Sequence, residues 1–342
     1  MNNDILTNRH DFLLLFEVTN GNPNGDPDAG NMPRLDPNTN RGIITDVCTK
    51  RKVRNFVEEF APPPANGQEN RIFVRQGAVL NELIDEAAPE ASKTAKADKN
   101  RDEWERTALT WLCNRYFDLR AFGAVLSTGN KVFKGSAYGQ VRGPVQFTFA
   151  QSFHPITPLE ISITRCAATN EKEKKDGEEA GASGSGNNRT MGNKHIVPYA
   201  LYAAKGYVSP AFAEKTGFTN ADLALLFEAL LHMFENDRSA ARGEMIVRGL
   251  YDFEHVGTQH ENNVAQNRRE SRLGCAHAHT LFEGITVSLS DAAKAAGKDF
   301  PESFADYTVN NSWTPETIPA GVRLHSRHKH GGDSIIERKP NG

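Results

Sequence analysis

Apolar positions along the chain fall into short alternating runs and longer helical stripes, separated by unusually long polar connections. "DFLLLFEV", residues 11–18, is a continuous apolar run bounded by turn-formers, which predicts a buried strand. Thr45 or Asp46 then stands where a helix cap belongs. Val53, Phe56, Val57 and Phe60 follow at helical spacing as far as the stop "APPPANG". Lys50, Arg51, Lys52 and Arg54 fall on the flanks and back of that helix. A short strand is expected in "NRIFVRQ" and another helix from Arg101 to Tyr116, with the polar, alanine-rich stretch from Ala87 to Asn100 as a loose excursion between them. "VQFTF" and "LEISIT" alternate strictly, with Val145, Phe147 and Phe149, then Leu159, Ile161 and Ile163, pointing one way. They predict two half-buried strands that pair antiparallel through "HPITP". "KHIVPYALYAAKGYV" returns to strand character, and Thr219 with Asp222 makes a capping-box pattern before Leu223, Leu226, Phe227, Leu230 and Phe234. "EMIVRGLYDFEHV" reads as a strand interrupted at Gly249, and the C-terminal end lacks clear periodicity. Strands alternating with a few amphipathic helices across long connections give an α+β domain with excursions, not a doubly wound sheet.

Composition narrows this picture. Residues 169–188, "TNEKEKKDGEEAGASGSGNN", have no apolar side chain larger than alanine, the signature of a mobile insertion. A net charge of −3, from 40 basic and 43 acidic residues, argues against a generally basic nucleic-acid binder but not against one with clustered cations. Cys48, Cys113, Cys166 and Cys275 form no C-x-x-C pair and no zinc spacing, as expected of reduced thiols in a cytoplasmic protein. No signal-peptide pattern and no apolar stretch of membrane-spanning length is present, so a soluble chain with no membrane partner is expected.

Candidate chemistry is sparse. The stretch "NGNPNGDPDAGN", residues 20–31, holds three glycines, two prolines and a set of Asn and Asp side chains that bond locally to backbone. Gly21, Gly25 and Gly30 suit positive φ. Asn20, Asn22, Asn24 and Gly25 loosely follow an EF-hand loop, but the twelfth position is Asn31 rather than a bidentate Glu. No nucleophile elbow, phosphate-binding glycine loop or zinc-protease helix appears. Asp26, Asp28, Asp36 and Asp46 read as turn residues, and His325, His328 and His330 in "HSRHKH" as a polar tail. No catalytic residue, metal or cofactor is expected. What stands out is local positive charge amid an acidic average: Arg34, the run "TKRKVR" with Lys50, Arg51, Lys52 and Arg54, Arg142 in "QVRG", Arg165 after "LEISIT", Arg189 and Lys194 in "NNRTMGNKH", and Arg238 and Arg242 in "NDRSAARG". Cations and glycine-rich backbone that neutralise phosphates without reading base edges give sequence-independent binding.

"DFLLLFEVTNGNPNGDPDAGNMPR", "TDVCTKRKVRNFV", "GQVRGPVQFTFAQS", "SITRCA", "NRTMGNKHIVPYALY" and "FENDRSAARGEM" closely resemble the backbone subunit of the type I-C (Dvulg) CRISPR Cascade complex, the Cas family-seven protein of the RAMP superfamily. The resemblance covers most of residues 10–255. It implies a modified RRM or ferredoxin-like palm over residues 1–255, with excursions called thumb, fingers and web, and a region 256–342 packed on or extending the same domain. It further implies copies stacked along one CRISPR RNA, spacer presented to target DNA, other Cascade subunits at the filament ends, and no catalytic activity. Arg34, Lys50, Arg51, Lys52, Arg54, Arg142, Arg165, Arg189, Lys194, Arg238 and Arg242 are the expected RNA contacts, with Met191 as an apolar wedge beside a displaced base. Two departures stand out: the insertion at 169–188 and the region after 256 are longer than the family pattern, so no role is carried onto them. No aromatic RNP signature is present, so base stacking on the sheet is not implied. The rival reading is a metal-dependent ribonuclease that processes guide RNA.

Overall fold

The computed structural model describes residues 4–63, 67–94, 96–97, 99–164, 171, 191–259, 263–328 and 333–338. The apolar run forms β1 (His10–Gly21), buried along nearly its whole length. A two-stranded turn follows, β2 (Gly25–Asp26) with β3 (Met32–Pro33), then β4 (Arg41–Ile44). Thr45 caps α1 (Asp46–Phe60) by accepting from the Cys48 N–H. A helical excursion comes next: α2 (Leu80–Asp85), α3 (Ala87–Thr94), α4 (Arg101–Arg115) and α5 (Phe117–Phe122), closed by the pair β5 (Gly123–Val125) and β6 (Gln140–Arg142). Then follow β7 (Val145–Phe147), β8 (Ala150–Pro155), β9 (Leu159–Thr164) and the long β10 (Met191–Val208). The chain continues through α6 (Pro210–Thr216) and α7 (Asn220–His232), the latter opened by the Thr219–Asp222 capping box, into β11 (Glu244–His255). Beyond lie α8 (Val264–Leu273), α9 (Ala278–Glu283), β12 (Ile285–Leu289), α10 (Asp291–Ala295), β13 (Tyr307–Asn311), β14 (Val322–Arg327) and β15 (Ser334–Glu337).

The central sheet runs β15-β14-β11-β1-β10-β8-β4, with each neighbouring pair antiparallel. Within it, β1–α1–β8–β10–α7–β11 has the order fourth-first-third-second, which is the ferredoxin-like βαββαβ arrangement. The α+β expectation therefore holds. Alternation along β1 divides two cores. Phe12, Leu14, Phe16 and Val18 face Val53, Phe56 and Val57 of α1 and Leu226, Phe227 and Leu230 of α7. Leu13 and Leu15 face the other way, with Tyr251 and Phe253 of β11, and are covered by Leu281, Phe282, Ile285 and Ile318. The helical excursion holds a separate core around Phe73, Ile84, Trp104, Leu112, Leu119 and Phe133.

Several local expectations change. "VQFTF" and "LEISIT" are not neighbours: β7 pairs with the end of β10 and β9 with its beginning, because β10 is long enough to serve both. Gly249 does not interrupt β11. It sits at a bulge, where Leu15 opposes Gly249 and Phe16 opposes Val247. The stretch Ala87–Asn100 is not loose at its start, since α3 buries Ala87 and Ala91 and small side chains let it lie close to its neighbours. "NRIFVRQ" contributes a single bridge, Arg71 to Tyr116, rather than a strand. His325 belongs to β14 and meets Glu254 at 2.9 Å, so it is not part of a tail. The insertion at 169–188 lies outside the described residues apart from Glu171. No helix among the described residues is long and apolar enough to cross a membrane.

Candidate nucleic-acid interface

The stretch after β1 is ordered by its own polar side chains. The Asn22 N–H donates to the Ala241 carbonyl at 2.6 Å, and Asn22 Nδ2 to the Asn31 carbonyl at 2.7 Å. Asn24 Oδ1 accepts from both the backbone N–H and the hydroxyl of Thr45, at 2.9 and 3.0 Å, so the loop is tied to the cap of α1. Asp26 accepts from the Asp28 N–H and from Arg34, each at 3.2 Å. The Asn38 N–H, and then Thr39, hold the Asp36 carboxyl below its ordinary range. Positive φ falls on Asn20, Gly30 and Asn31 rather than on Gly21 or Gly25. Gly25 is required for a different reason: a Cβ there would overlap the Asn31 side chain across the β2–β3 pair. Asp26, Asp36 and Asp46 thus serve turns and cations, with Asp46 taking Lys50 at 2.9 Å.

The cations of α1 divide. Lys52 is buried and paired with Asp237, which Arg242 also meets at 3.0 Å. Arg54 donates to the buried Asp118 at 2.7 Å. These two hold α1 against its neighbours and are not open to a phosphate. Lys50 is largely covered, whereas Arg51 is exposed and forms no ion pair among the described residues. Arg34 is half-buried on Asp26, Arg238 is exposed beside Glu235 at 3.2 Å, and Lys194 donates to the Ala240 carbonyl at 3.3 Å.

One loop gathers most of these groups. Residues 235–243 receive Asn22 from the opening loop, Lys194 from β10 and Lys52 from α1, and they carry Arg238 and Arg242. Cys48, whose thiol is pushed up by burial and pulled back by Lys52 and Arg242, sits in the same cationic neighbourhood. Arg34, Lys194, Arg238 and Arg242 therefore converge where β1 ends. Arg142 does not join them. It lies three residues before Val145, which pairs with Val208 and so with the start of β1 at His10, and its guanidinium stacks 4.5 Å from the Phe212 ring centre. Arg165 and Arg189 lie outside the described residues. Met191 is placed by its backbone only, opposite Thr164 at the start of β10.

Sequence reading passed over one feature of this end of the molecule. Among the described residues β9 pairs only with the first residues of β10, and Leu159, Ile161 and Ile163 on its apolar face are 48%, 42% and 43% exposed rather than half-buried against a core. The alternation was visible, but alternation names a face and not its cover.

The fold and its polar end define an α+β domain of ferredoxin-like order, with partly exposed cations crowded at one end of the sheet. The family model described as CRISPR-associated protein Cas7 matches residues 8–312, and the chain belongs to that family. A curated relative from Haloferax volcanii, named CRISPR-associated protein Cas7, is 27% identical over 234 residues, which is 64% of this chain and 62% of that relative, so the match spans less than two thirds of it. Among solved structures, the chain is similar to one titled CRISPR RNA-guided surveillance complex, pre-nicking, at 14% identity and a TM-score of 0.44, covering 72% of this chain and 78% of the other. Another, titled CRISPR RNA-guided surveillance complex, is 15% identical with a TM-score of 0.39, covering 72% and 68%.

Proposed function

We propose that this protein is a non-catalytic, guide-binding backbone subunit of a type I-C CRISPR Cascade complex. Copies bind one CRISPR RNA side by side, associate head to tail, and present the spacer for pairing with target DNA, with other subunits at the filament ends. Beside family membership, the observation that carries this reading is the convergence at the end of β1: a backbone-rich loop, Lys194, Arg238 and Arg242 meet there, with Arg34 in the same loop. Exposed Arg51 is a further contact, Arg142 is a separate one toward the opposite end of β1, and Arg165, Arg189 and Met191 belong to the same proposal. Lys50 contributes through its partly covered ammonium, while Lys52 and Arg54 act by holding α1 in place. The β9–β10 hairpin, with its uncovered apolar face, is the element we assign as the thumb. The ribonuclease reading is disfavoured because Asp26, Asp36 and Asp46 are already engaged by backbone donors or cations.

Salt titration of binding to a labelled guide tests the reading. Each phosphate contact contributes roughly −0.7 to the slope of log K against log salt for a single strand. Replacing Arg51, Lys194, Arg238 and Arg242 with Ala is expected to flatten the slope by about 2–3, whereas Lys52→Met is expected to lower stability and leave the slope of the folded protein unchanged. Equal slopes for wild type and the fourfold variant would remove this end of the sheet from the interface. Cleavage of precursor RNA in the presence of divalent metal would favour the enzyme instead.

A further inference from the structure

The end of the sheet away from the opening loop carries a second set of cations. β1 runs from His10 to Gly21, so at about 3.3 Å per residue its two ends lie roughly 35 Å apart. At the His10 end, α8 is anchored on the strand. The Arg9 N–H donates to the Ser271 carbonyl at 2.9 Å, and Arg9 Nη1 donates to the Leu273 carbonyl in the last turn of α8, also at 2.9 Å. α6 lies beside it, since Glu214 accepts from Arg268 at 3.3 Å and from Arg272 at 3.0 Å. One carboxylate is thus shared by two guanidinium groups, and one positive charge is left over. Arg269 and Lys215 are exposed and form no ion pair among the described residues. The Lys215 ammonium lies 5.6 Å from the Phe212 ring centre, the same ring on which Arg142 stacks at 4.5 Å. An aromatic ring steadies a cation without neutralising it, so both charges stay open to an anion. Glu270, the acid of α8 itself, is already engaged by the Thr258 N–H at 2.8 Å and by Gln266 at 2.9 Å.

We propose that this surface on α6 and α8, with Arg142 at its edge, holds the DNA strand that is displaced when the guide pairs with its target. The inference rests on the guide-binding reading above, because pairing at one end of the sheet is what frees a single strand. Cations spread over two neighbouring helices suit an unpaired polyanion and bind it without reading its sequence. A separation of roughly 35 Å exceeds the width of a duplex, so a strand held here is kept apart from the paired one. Charge also favours nucleic acid over a second copy of this chain. A net charge of −3 over 342 residues gives a second copy little to set against these cations, whereas a single strand carries one negative charge per nucleotide.

The test uses the whole protein assembled on a saturating guide-length RNA and titrated with a fluorescent single-stranded DNA that is not complementary to the guide. The DNA is expected to bind without releasing the guide. Lys215→Ala combined with Arg269→Ala is expected to weaken DNA binding about tenfold and to reduce its salt slope by about 1.4, the share of two single-strand phosphate contacts. Both side chains are exposed and outside any ion pair among the described residues, so the melting temperature and guide affinity are expected to match wild type. Wild-type protein that fails to bind the guide would overturn the functional reading, and the inference with it. Guide binding without DNA binding, DNA affinity unchanged in the double variant, or tighter binding of non-complementary RNA than of DNA overturns the inference alone. So does a double variant that no longer adds successive copies along the guide, since α6 and α8 would then face a neighbouring copy.

Discussion

Arg120 is the largest fully buried side chain among the described residues, and replacing it should separate the helical excursion from the palm. Its guanidinium sits at 0% exposure and forms a bidentate pair with Asp222, at 2.9 Å from Nε and 2.6 Å from the terminal nitrogen. The remaining donors reach the Cys113 carbonyl at 2.6 Å and the Glu69 carbonyl at 3.3 Å, in and before the excursion. Asp222 in turn accepts from the Thr219 N–H at 2.9 Å and hydroxyl at 3.0 Å, closing the cap of α7. One arginine therefore joins the excursion to the helix that packs on the sheet. Arg120→Met keeps the volume but leaves a buried carboxylate with only its cap donors and strips two carbonyls of a donor. Breaking a buried pair from one side costs about 3–5 kcal/mol, and the surviving cap places this case at about 4 kcal/mol. Asp222→Asn alone loses the charge but keeps an acceptor for the cap. In the double variant no charge is left unpaired, so the two losses should fall short of additive by about 1–3 kcal/mol. Urea denaturation followed by the fluorescence of Trp104 and Trp111, which lie in α4 of the excursion, reads the loss directly. A loss under about 1 kcal/mol for Arg120→Met, or strict additivity of the pair, would show that the link is replaceable and that the excursion is held by its apolar contacts instead.

Gly25→Ala should weaken the opening loop by about 1–3 kcal/mol, because its methyl meets Asn31, while Gly30→Ala costs only about 1 kcal/mol of left-handed strain in open space. Hydrogen exchange across residues 22–34 ranks the two. The buried pairs between β1, β11 and β14 give stability a pH dependence of defined sign. Burial works against the His10 charge, but the Asp252 carboxylate at 2.9 Å outweighs it, so His10 binds its proton more tightly folded than unfolded. Its contribution is full below the unfolded value of 6.5 and is lost as pH rises through the folded one. Burial would raise Glu254, but hydrogen bonds from His325 and Asn8 and the charge of His10 hold it at about 2, so its contribution is present above 4.5 and is lost as pH falls towards that lower value. Denaturation between these limits should show a maximum, and His10→Gln should flatten the alkaline side. Replacing Leu159, Ile161 and Ile163 together with Ser should change monomer stability by less than about 1 kcal/mol, since all three are exposed, yet reduce stepwise addition of copies on RNA in native mass measurements.

The strongest local signals were read correctly, while weaker ones such as "NRIFVRQ" and Ala87–Asn100 were not. β1 is an unbroken apolar run with no other home, and the caps at Thr45 and Thr219 are set by side chains within three residues of the backbone groups they serve. Partners far along the chain were not legible. Lys52 and Arg54 look like a solvated helix face because Asp237 and Asp118 lie 185 and 64 residues away. A charge pattern cannot reveal which cations are already paired, and so the candidate set mixed buried structural groups with open ones. Strand neighbours failed for a related reason. The alternation in "VQFTF" and "LEISIT" fixed which side chains share a face, but the choice of β10 as partner to both depends on its length and on where β1 leaves it free. The cause was read correctly at Gly30, which is left-handed, and misread at Gly25, where glycine answers crowding; the other left-handed residues of the loop are Asn20 and Asn31.

The two faces of the sheet are both covered. A ferredoxin-like sheet packs one face on its two helices and leaves the other to be covered or used, and RNA-binding versions of that order stack bases on aromatic side chains of the open face. Here the second face presents Leu13, Leu15, Tyr251 and Phe253, which at about 25 cal/mol per Å² of apolar surface is costly to leave in water. The residues after β11 remove that cost. β14 extends the sheet beside β11, and Leu281, Phe282, Ile285 and Ile318 lie over the face. With both faces occupied in this region, the contact surface proposed above lies at the end of the strands. At the end where β1 passes into the glycine- and proline-rich loop, backbone donors, Lys194, Arg238 and Arg242 are already assembled. The C-terminal layer thus covers the second face of the sheet, and the proposed contact surface is the end of the sheet that it leaves open.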